Sequence, residues 1–410
     1  MTLSAKNTGC AVVVYPEESG LLLAPAFNAQ GIQVIEIPSQ PGDPSGHGHF
    51  QVALAHLGAE RVNEHLICIV PGSERGVPLA DQLAAHYGVF ANDPEHQIAR
   101  YRKSDLATLA RKARLNVPWQ CAISTLQDLL ALESNREWPL ILKPDSSMGS
   151  EGVTRCDSFA ELQQSYDVLH KQTNRLGRSN QTCLVQRYLD GTEYAIDTVS
   201  VDGQHRVTAI WEYVKANPLI LGRAPFTSKK LLPASGKLQS ALTRYTEQLL
   251  TASGVRYGPA HTELVIEDHN AMTPTLMEMG ARMHGGQAAM QLCDWCIGHS
   301  QVDACVTAYH KPTQFLTRFS PPYTLQQHGE IVLLICPDAS LTVCHATTEY
   351  LTTLPSVRFQ DIDFTPSSNA NQIVGMLILV HPEAAQIEHD VNQIRSLEQT
   401  KLYLPAASVA

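Results

Sequence analysis

No stretch of this chain approaches the run of about 18 apolar residues that a membrane-spanning helix needs. Basic residues are also scarce, with 30 Lys and Arg against 40 Asp and Glu and a net charge of −10. They are scattered rather than clustered, so the electrostatic footprint of a nucleic-acid or acidic-membrane binder is missing. The expected partners are small molecules that bring their own countercharge, with no nucleic acid and no membrane among them. A disulfide framework is lacking as well. The 10 cysteines are dispersed, and the single C-x-x-C of Cys293 and Cys296 has no second pair at zinc spacing. The opening residues Met1 to Cys10 carry no long apolar stretch with a cleavage site. Together these absences predict a reduced, cytoplasmic protein, with a homodimer possible. Neither G-x-G-x-x-G nor a Walker A loop is present, which argues against a dinucleotide fold and a P-loop.

What the chain has is length and apolar content: 410 residues, 44% of them hydrophobic. That suffices for two or three packed domains, since single cores rarely grow past roughly 250–300 residues. Residues 11–100 alternate strand and helix, from Val12-Val13-Val14 through a helix over 20–29 and a strand at 32–35. A further strand at 66–70 and a helix at 79–86 complete the pattern of an open parallel α/β sheet. A helix begins near Lys103 and stops before Pro118, and Ser158 with Glu161 marks another helix start. Asp202-Gly203 predicts a hairpin turn. The stretch 214–236, with its prolines and glycines, reads as a long loop, the kind that usually forms a lid. Beyond about residue 320 mixed strands and a helix over 384–398 suggest a smaller α+β end domain. The expected division is 1–100, 101–184, 185–318 and 319–410.

Three groups of residues carry chemistry. Lys143 ends a short apolar strand and is followed by Ser146, Ser147, Met148, Gly149, Ser150, Gly152 and Val153. Small residues let backbone N–H groups approach an anion, and a lysine at the loop edge adds a point charge. Taken alone, a glycine-bearing hairpin loop is more often structural. The second group is Glu263 and Glu278, placed symmetrically about the turn at 267–274. A simple hairpin sets them opposite one another, roughly 5 Å apart, where like charges destabilise unless a divalent cation lies between them. A register slip of one residue would instead put them on opposite faces. The third is Arg282 in the run Gly280-Ala281-Arg282-Met283-His284-Gly285-Gly286, suited to bidentate anion recognition.

The order Lys103, Lys143 with its loop, Val185-Gln186-Arg187-Tyr188-Leu189 with Glu193, Glu263 and Glu278 resembles the ATP-grasp superfamily. Tyr15-Pro16-Glu17-Glu18-Ser19-Gly20, Gly258-Pro259-Ala260-His261-Thr262-Glu263 and Glu278-Met279-Gly280-Ala281-Arg282 further resemble its amino-acid ligase branch, which joins two L-amino acids. The resemblance implies an α/β and α+β ATP-grasp fold and ATP as cofactor, with Mg2+ or alternatively Mn2+. Lys103, Lys143 and the loop 146–153 would face the phosphates, Gln186 to Leu189 the adenine and Glu193 the ribose. Glu263 and Glu278 would hold the metal. Arg282 would stabilise the acyl phosphate, while His261, His284, Gly285 and Gly286 are substrate-side candidates. Two departures stand out: Gly280 replaces the asparagine of the common E-x-N ending, and Gln186 replaces a glutamate. Lys215, Lys229 and Lys230 are phosphate-clamp candidates or simply solvated. The implied reaction is ATP-dependent amide formation through an acyl phosphate. A ligase of peptide or protein ends and a non-catalytic ATP-binding regulator remain alternatives.

Overall fold

A computed structural model describes residues 9–43, 45, 47–60, 62, 65–132, 137–215, 226–365 and 372–405. The opening residues 1–8, on which the cytoplasmic expectation partly rests, lie outside them. Among the described residues no helix is long and apolar enough to cross a membrane.

The first strands are β1 (Cys10–Val14), β2 (Gln33–Ile37) and β3 (Leu66–Pro71), paired in parallel in the order β2-β1-β3. β1 is buried along its whole length because helices pack on both faces of a parallel sheet, which is why it reads as an unbroken apolar run. Leu57 of the helix His47–Ala59 and Leu79 and Leu83 of the helix Val77–Tyr87 share its core. β1 lies at the centre, so the crevice expected at a topological switch point opens at the C-terminal ends of β1 and β3.

A second sheet follows, with β4 (Gln120–Ile123), β5 (Leu140–Pro144), β6 (Thr154–Cys156) and β7 (Cys183–Arg187) antiparallel in the order β4-β7-β5-β6. The helix Phe159–Leu169 begins where Ser158 accepts a hydrogen bond from the Glu161 N–H, and it buries Leu162, Tyr166 and Leu169 against this sheet. β8 (Thr192–Val201) turns at Asp202 and Gly203 (φ 49° and 74°) into β9 (Gln204–Lys215). Two consecutive left-handed residues match the hairpin twist expected of Asp-Gly. β10 (Phe226–Leu231), β11 (Gly258–Ile266), β12 (Thr275–Gly280), β13 (His328–Cys336), β14 (Leu341–Val343), β15 (Val357–Ile362), β16 (Gln372–His381) and β17 (Tyr403–Pro405) complete the strands of the described residues.

The chain divides into two compact units. The first comprises Met1–Thr208, Ser235–Gln287 and Gln301–Pro322. In it β11 pairs antiparallel with both β8 and β12. The second comprises Ala209–Ala234, Ala288–Ser300 and Tyr323–Ala410. There β10 pairs with β9 and β13, and β13 with β16, over a core of Val332, Leu377, Leu379 and Ile394.

One expectation is corrected. The stretch 214–236 is not a continuous loop: β9 runs to Lys215 and Phe226–Leu231 is strand. Its prolines and glycines masked a short strand, in which Ser228 and Leu231 are buried while Lys230 is exposed. Lys229 lies over the Tyr213 ring and Lys215 over that of Phe226, so both cations are engaged on aromatic faces. Residues 216–225 of that stretch lie outside the described residues.

Candidate active site

Glu263 on β11 and Glu278 on β12 are direct cross-strand partners. The turn alone does not achieve this. Next to it Leu264 pairs with Leu276 and Val265 with Thr275, a ladder that would put Glu278 opposite Thr262. A bulge at Met277 adds one residue to β12 and brings Glu278 level with Glu263. Bulges re-aim side chains next to functional sites, and here one gathers two carboxylates into an all-oxygen pair suited to a hard divalent cation.

Two lysines face this pair. Lys103, at the start of the helix Lys103–Lys112, puts Nζ 3.1 Å from Glu278 Oε1 and donates to the Ser147 carbonyl at 2.9 Å. Lys143, near the end of β5, is buried and donates to Gln186 Oε1 at 3.0 Å. Burial, with the nearby Lys103 charge, pulls the Lys143 pKa down to about 8 against the opposing pull of Glu278, Glu263 and Glu193. Gln186 also donates through Nε2 to Gln120 Oε1 at 2.8 Å. Its amide is therefore engaged on both atoms, with Lys143 on the oxygen and Gln120 on the nitrogen.

The loop after Lys143 is held at its edges and left-handed at its tip. Asp145 accepts from the Ser104 N–H at 2.8 Å and its hydroxyl at 2.7 Å. Asn174 Nδ2 donates to the Ser146 carbonyl at 2.7 Å, and Arg178 bonds the Ser146 hydroxyl. Gly149, Ser150 and Gly152 have φ of 62°, 58° and 70°. Nothing stands within 4 Å of where a Cβ on Gly149 would be, whereas one on Gly152 would meet Leu169 Cδ1 at 2.7 Å. Gly149 thus lines open space while Gly152 packs against the fold.

Arg282 is partly buried, donates through Nε to Glu74 Oε2 at 2.9 Å and through Nη1 to the Met283 carbonyl at 2.9 Å. Burial works against its charge, yet Glu74, Glu263, Glu278 and Glu18 outweigh it and raise its pKa. Glu74 follows β3 and Glu18 follows β1, so both come from the switch-point crevice. A Cβ on Gly285 would lie 2.8 Å from Glu18 Oε2, and Ser19 Oγ donates to the His284 carbonyl at 2.6 Å. Ser73 Oγ, buried beside Glu74, has no hydrogen-bond partner among the described residues. A buried orphan hydroxyl calls for an explanation, and a ligand in this crevice supplies one.

His261 and His284 are buried. Both turn Nδ1 toward the buried Asp197, at 2.7 and 3.0 Å, and His261 Nε2 lies 3.2 Å from Glu263 Oε1. Burial disfavours the His261 charge, but its hydrogen bonds to Asp197 and Glu263 overcome this and raise its pKa. Glu193 on β8 is buried, and Val265 is its cross-strand partner. Arg187 pairs with Glu267 at 2.6 Å, at the surface next to Tyr188.

Sequence reasoning missed Asp197, Glu74, Glu18 and Ser73 as site residues. Asp197 carried a signal: it is an acid inside the run Tyr194 to Val201, which is otherwise apolar or hydroxylic. Glu74 had a weaker one, its place just past the end of a parallel strand.

A pair of facing carboxylates, two lysines at a left-handed glycine loop and an arginine at the mouth of an α/β crevice mark this chain as an ATP-dependent carboxylate–amine ligase, and residues 136–291 match the ATP-grasp domain family. The chain is 25% identical over 415 residues to dapdiamide A synthase of Enterobacter agglomerans, covering 96% of each protein. It is also similar to D-alanine–D-alanine ligase of Flavobacterium johnsoniae, at 26% identity over 106 residues, or 26% of this chain and 31% of that one. The fold matches the crystal structure of an L-amino acid ligase from Bacillus licheniformis at TM-score 0.74 and 16% identity, over 96% of this chain and 98% of the other. It matches a carboxyaminoimidazole ribonucleotide synthase from Aspergillus clavatus, complexed with ATP, at TM-score 0.68 and 14% identity over 96% and 99%.

Proposed function

We propose that this ligase joins an amino acid or amino-acid-like acid to an L-amino acid, in the cytoplasm, using Mg2+ with ATP. The observation that carries the proposal is the convergence on one place of Glu263, Glu278, Lys103, Lys143 and Arg282. The donor set fits the metal: two carboxylates on adjacent strands offer only hard oxygen ligands, as Mg2+ or Mn2+ prefers. When bound, that cation would neutralise charge on the phosphates. The segments 1–100, 101–184, 185–318 and 319–410 are proposed as the functional divisions.

The roles follow from charge. A carboxylate is a poor electrophile. Attack by its oxygen on the γ-phosphorus of ATP expels ADP and gives an acyl phosphate. Phosphoryl transfer needs little covalent help, so positioning and charge stabilisation dominate. Lys103 and Lys143 supply ammonium groups at the glycine loop, and Arg282 supplies a rigid guanidinium facing the reacting oxygens. The amine then attacks the carbonyl carbon, phosphate leaves, and an amide remains. Residues 146–153 exclude water while the acyl phosphate persists. Glu18 and Glu74 beside Arg282 favour a substrate that carries an ammonium close to its carboxylate, as an α-amino acid does.

The test is phosphate release from ATP and Mg2+ over all pairs of L-amino acids. Release that needs two substrates, with the matching dipeptide found by mass spectrometry, is the expected result. ADP binding without release under any pair would favour a nucleotide-binding regulator, and release dependent on a peptide end would favour the terminus-modifying ligase.

A further inference from the structure

We propose that Asp197 is a positioning residue of this ligase, acting through His261 to fix the direction in which Glu263 presents its carboxylate to the nucleotide's divalent cation. The inference rests on the reading of Glu263 and Glu278 as metal ligands.

The strand register puts the parts in line. Asp197 on β8 is the direct cross-strand partner of His261 on β11. Glu263 is two residues further along β11, and a strand returns to the same face every second residue. The side chains then connect end to end. Asp197 Oδ1 accepts from His261 Nδ1 at 2.7 Å, and the opposite ring nitrogen, Nε2, reaches Glu263 Oε1 at 3.2 Å. Asp197 Oδ2 accepts from His284 Nδ1 at 3.0 Å.

Asp197 and His284 have side chains only 1% exposed, and His261 5%. A carboxylate so buried is costly unless its oxygens are satisfied, and here two imidazoles do so. For stability alone, apolar side chains of the same volume would serve as well or better. What a buried acid adds is orientation. By accepting from Nδ1–H it fixes how the ring is turned and leaves Nε2 directed at Glu263. The imidazole is rigid, so pinning one end aims the other. The same acid holds His284, whose N–H donates to Gln301 Oε1 at 2.8 Å and whose carbonyl accepts from Ser19. One side chain therefore ties the metal-ligand strand to the turn that carries Arg282.

The cluster also brings three potential ligand atoms within 4.8 Å of one another. Both Nδ1 atoms, however, are spent on separate oxygens of one carboxylate at hydrogen-bond distance, which favours the relay over an ion of its own.

The experiment measures Mn2+ binding in the presence of ADP, read as free Mn2+ by electron paramagnetic resonance. It compares wild type with Glu278→Ala, His261→Asn, Asp197→Asn and Thr198→Val. An asparagine at 261 can still donate to Asp197 from its amide but cannot reach Glu263, so the buried hydrogen bond survives and the fold is kept. His261→Asn and Asp197→Asn should weaken Mn2+ roughly ten- to a hundredfold, the usual effect of losing an outer-shell partner. ADP affinity without metal and the unfolding temperature of His261→Asn should stay near wild type. Thr198→Val, a buried neighbour whose hydroxyl donates to the Ala260 carbonyl at 3.4 Å, should bind Mn2+ normally. Unchanged Mn2+ affinity in His261→Asn, or an equal loss in Thr198→Val, overturns the relay. A second Mn2+ that survives Glu278→Ala overturns it in favour of an ion within the cluster. If Glu278→Ala itself binds as tightly as wild type, the metal-ligand reading fails; if it loses binding while the two relay variants do not, only the relay fails.

Discussion

Glu74 Oε2 occupies the place that a side chain at Gly280 would need: a Cβ there would lie 2.5 Å from that oxygen and 3.3 Å from Arg282 Nε. Many ATP-grasp enzymes carry an asparagine at this position. Here the space is taken by a carboxylate from a different segment, already bonded to Arg282 at 2.9 Å. The missing asparagine and the Glu74–Arg282 pair are thus two aspects of one packing arrangement.

Gly280→Ala tests this. The clashing atom is the end of a flexible side chain, so the strand can stay while Glu74 withdraws and releases Arg282. The expected result is an unfolding temperature within a few degrees of wild type and an unchanged KM for ATP. kcat/KM for the acid substrate should fall by roughly tenfold or more, because the guanidinium loses the partner that orients it. A Gly280→Ala enzyme with wild-type kinetics toward the acid would show that the pair has no part in the reaction.

Lys143 gives a pH prediction. With its pKa lowered to about 8 by burial and by Lys103, the nucleotide-free protein holds this lysine partly neutral just above that pH. Because the folded value lies below the unfolded one, the group weakens the fold at low pH. Stability from this source rises as pH climbs from about 8 toward the ordinary lysine range. Phosphate charge reverses the preference and raises the pKa, so nucleotide binding above about pH 8 takes up a proton. Calorimetry of ADP binding in buffers of different ionisation enthalpy should show uptake at about pH 8.5 and little at about pH 6.5. Lys143→Met should lack the difference. Equal uptake in the variant would mean that the proton goes elsewhere.

How much of this was legible follows from the range of each interaction. The pairing of Glu263 with Glu278 was readable because both flank one turn, and a local hairpin leaves few registers. The bulge at Met277 was not, since one extra residue leaves no mark on an apolar–polar pattern. β10 was hidden among prolines and glycines that belong to its flanks. Glu74 and Asp197 escaped because their meaning depends on contacts across 208 and 64 positions of the chain, to Arg282 and His261. The parallel sheet around β1 was plain, because strands buried on both faces announce themselves as apolar runs.

Glu278→Ala separates chemistry from folding. The Glu278 side chain is 27% exposed, bonded to Lys103 at 3.1 Å and set opposite another carboxylate. Removing it deletes one partly exposed ion pair, worth about 0–1 kcal/mol, and also relieves repulsion from Glu263. Lys103 keeps its bond to the Ser147 carbonyl. The unfolding temperature should therefore hardly move. Turnover has no such compensation: one remaining carboxylate is a poor cation site, and charge on the transferring phosphoryl group goes unbalanced. Phosphate release should drop by at least ~100-fold. Substantial turnover by Glu278→Ala would overturn the assignment of the metal pair. A collapse of its unfolding temperature would mean instead that the glutamate holds up the sheet, a role its exposure and its like-charged neighbour argue against.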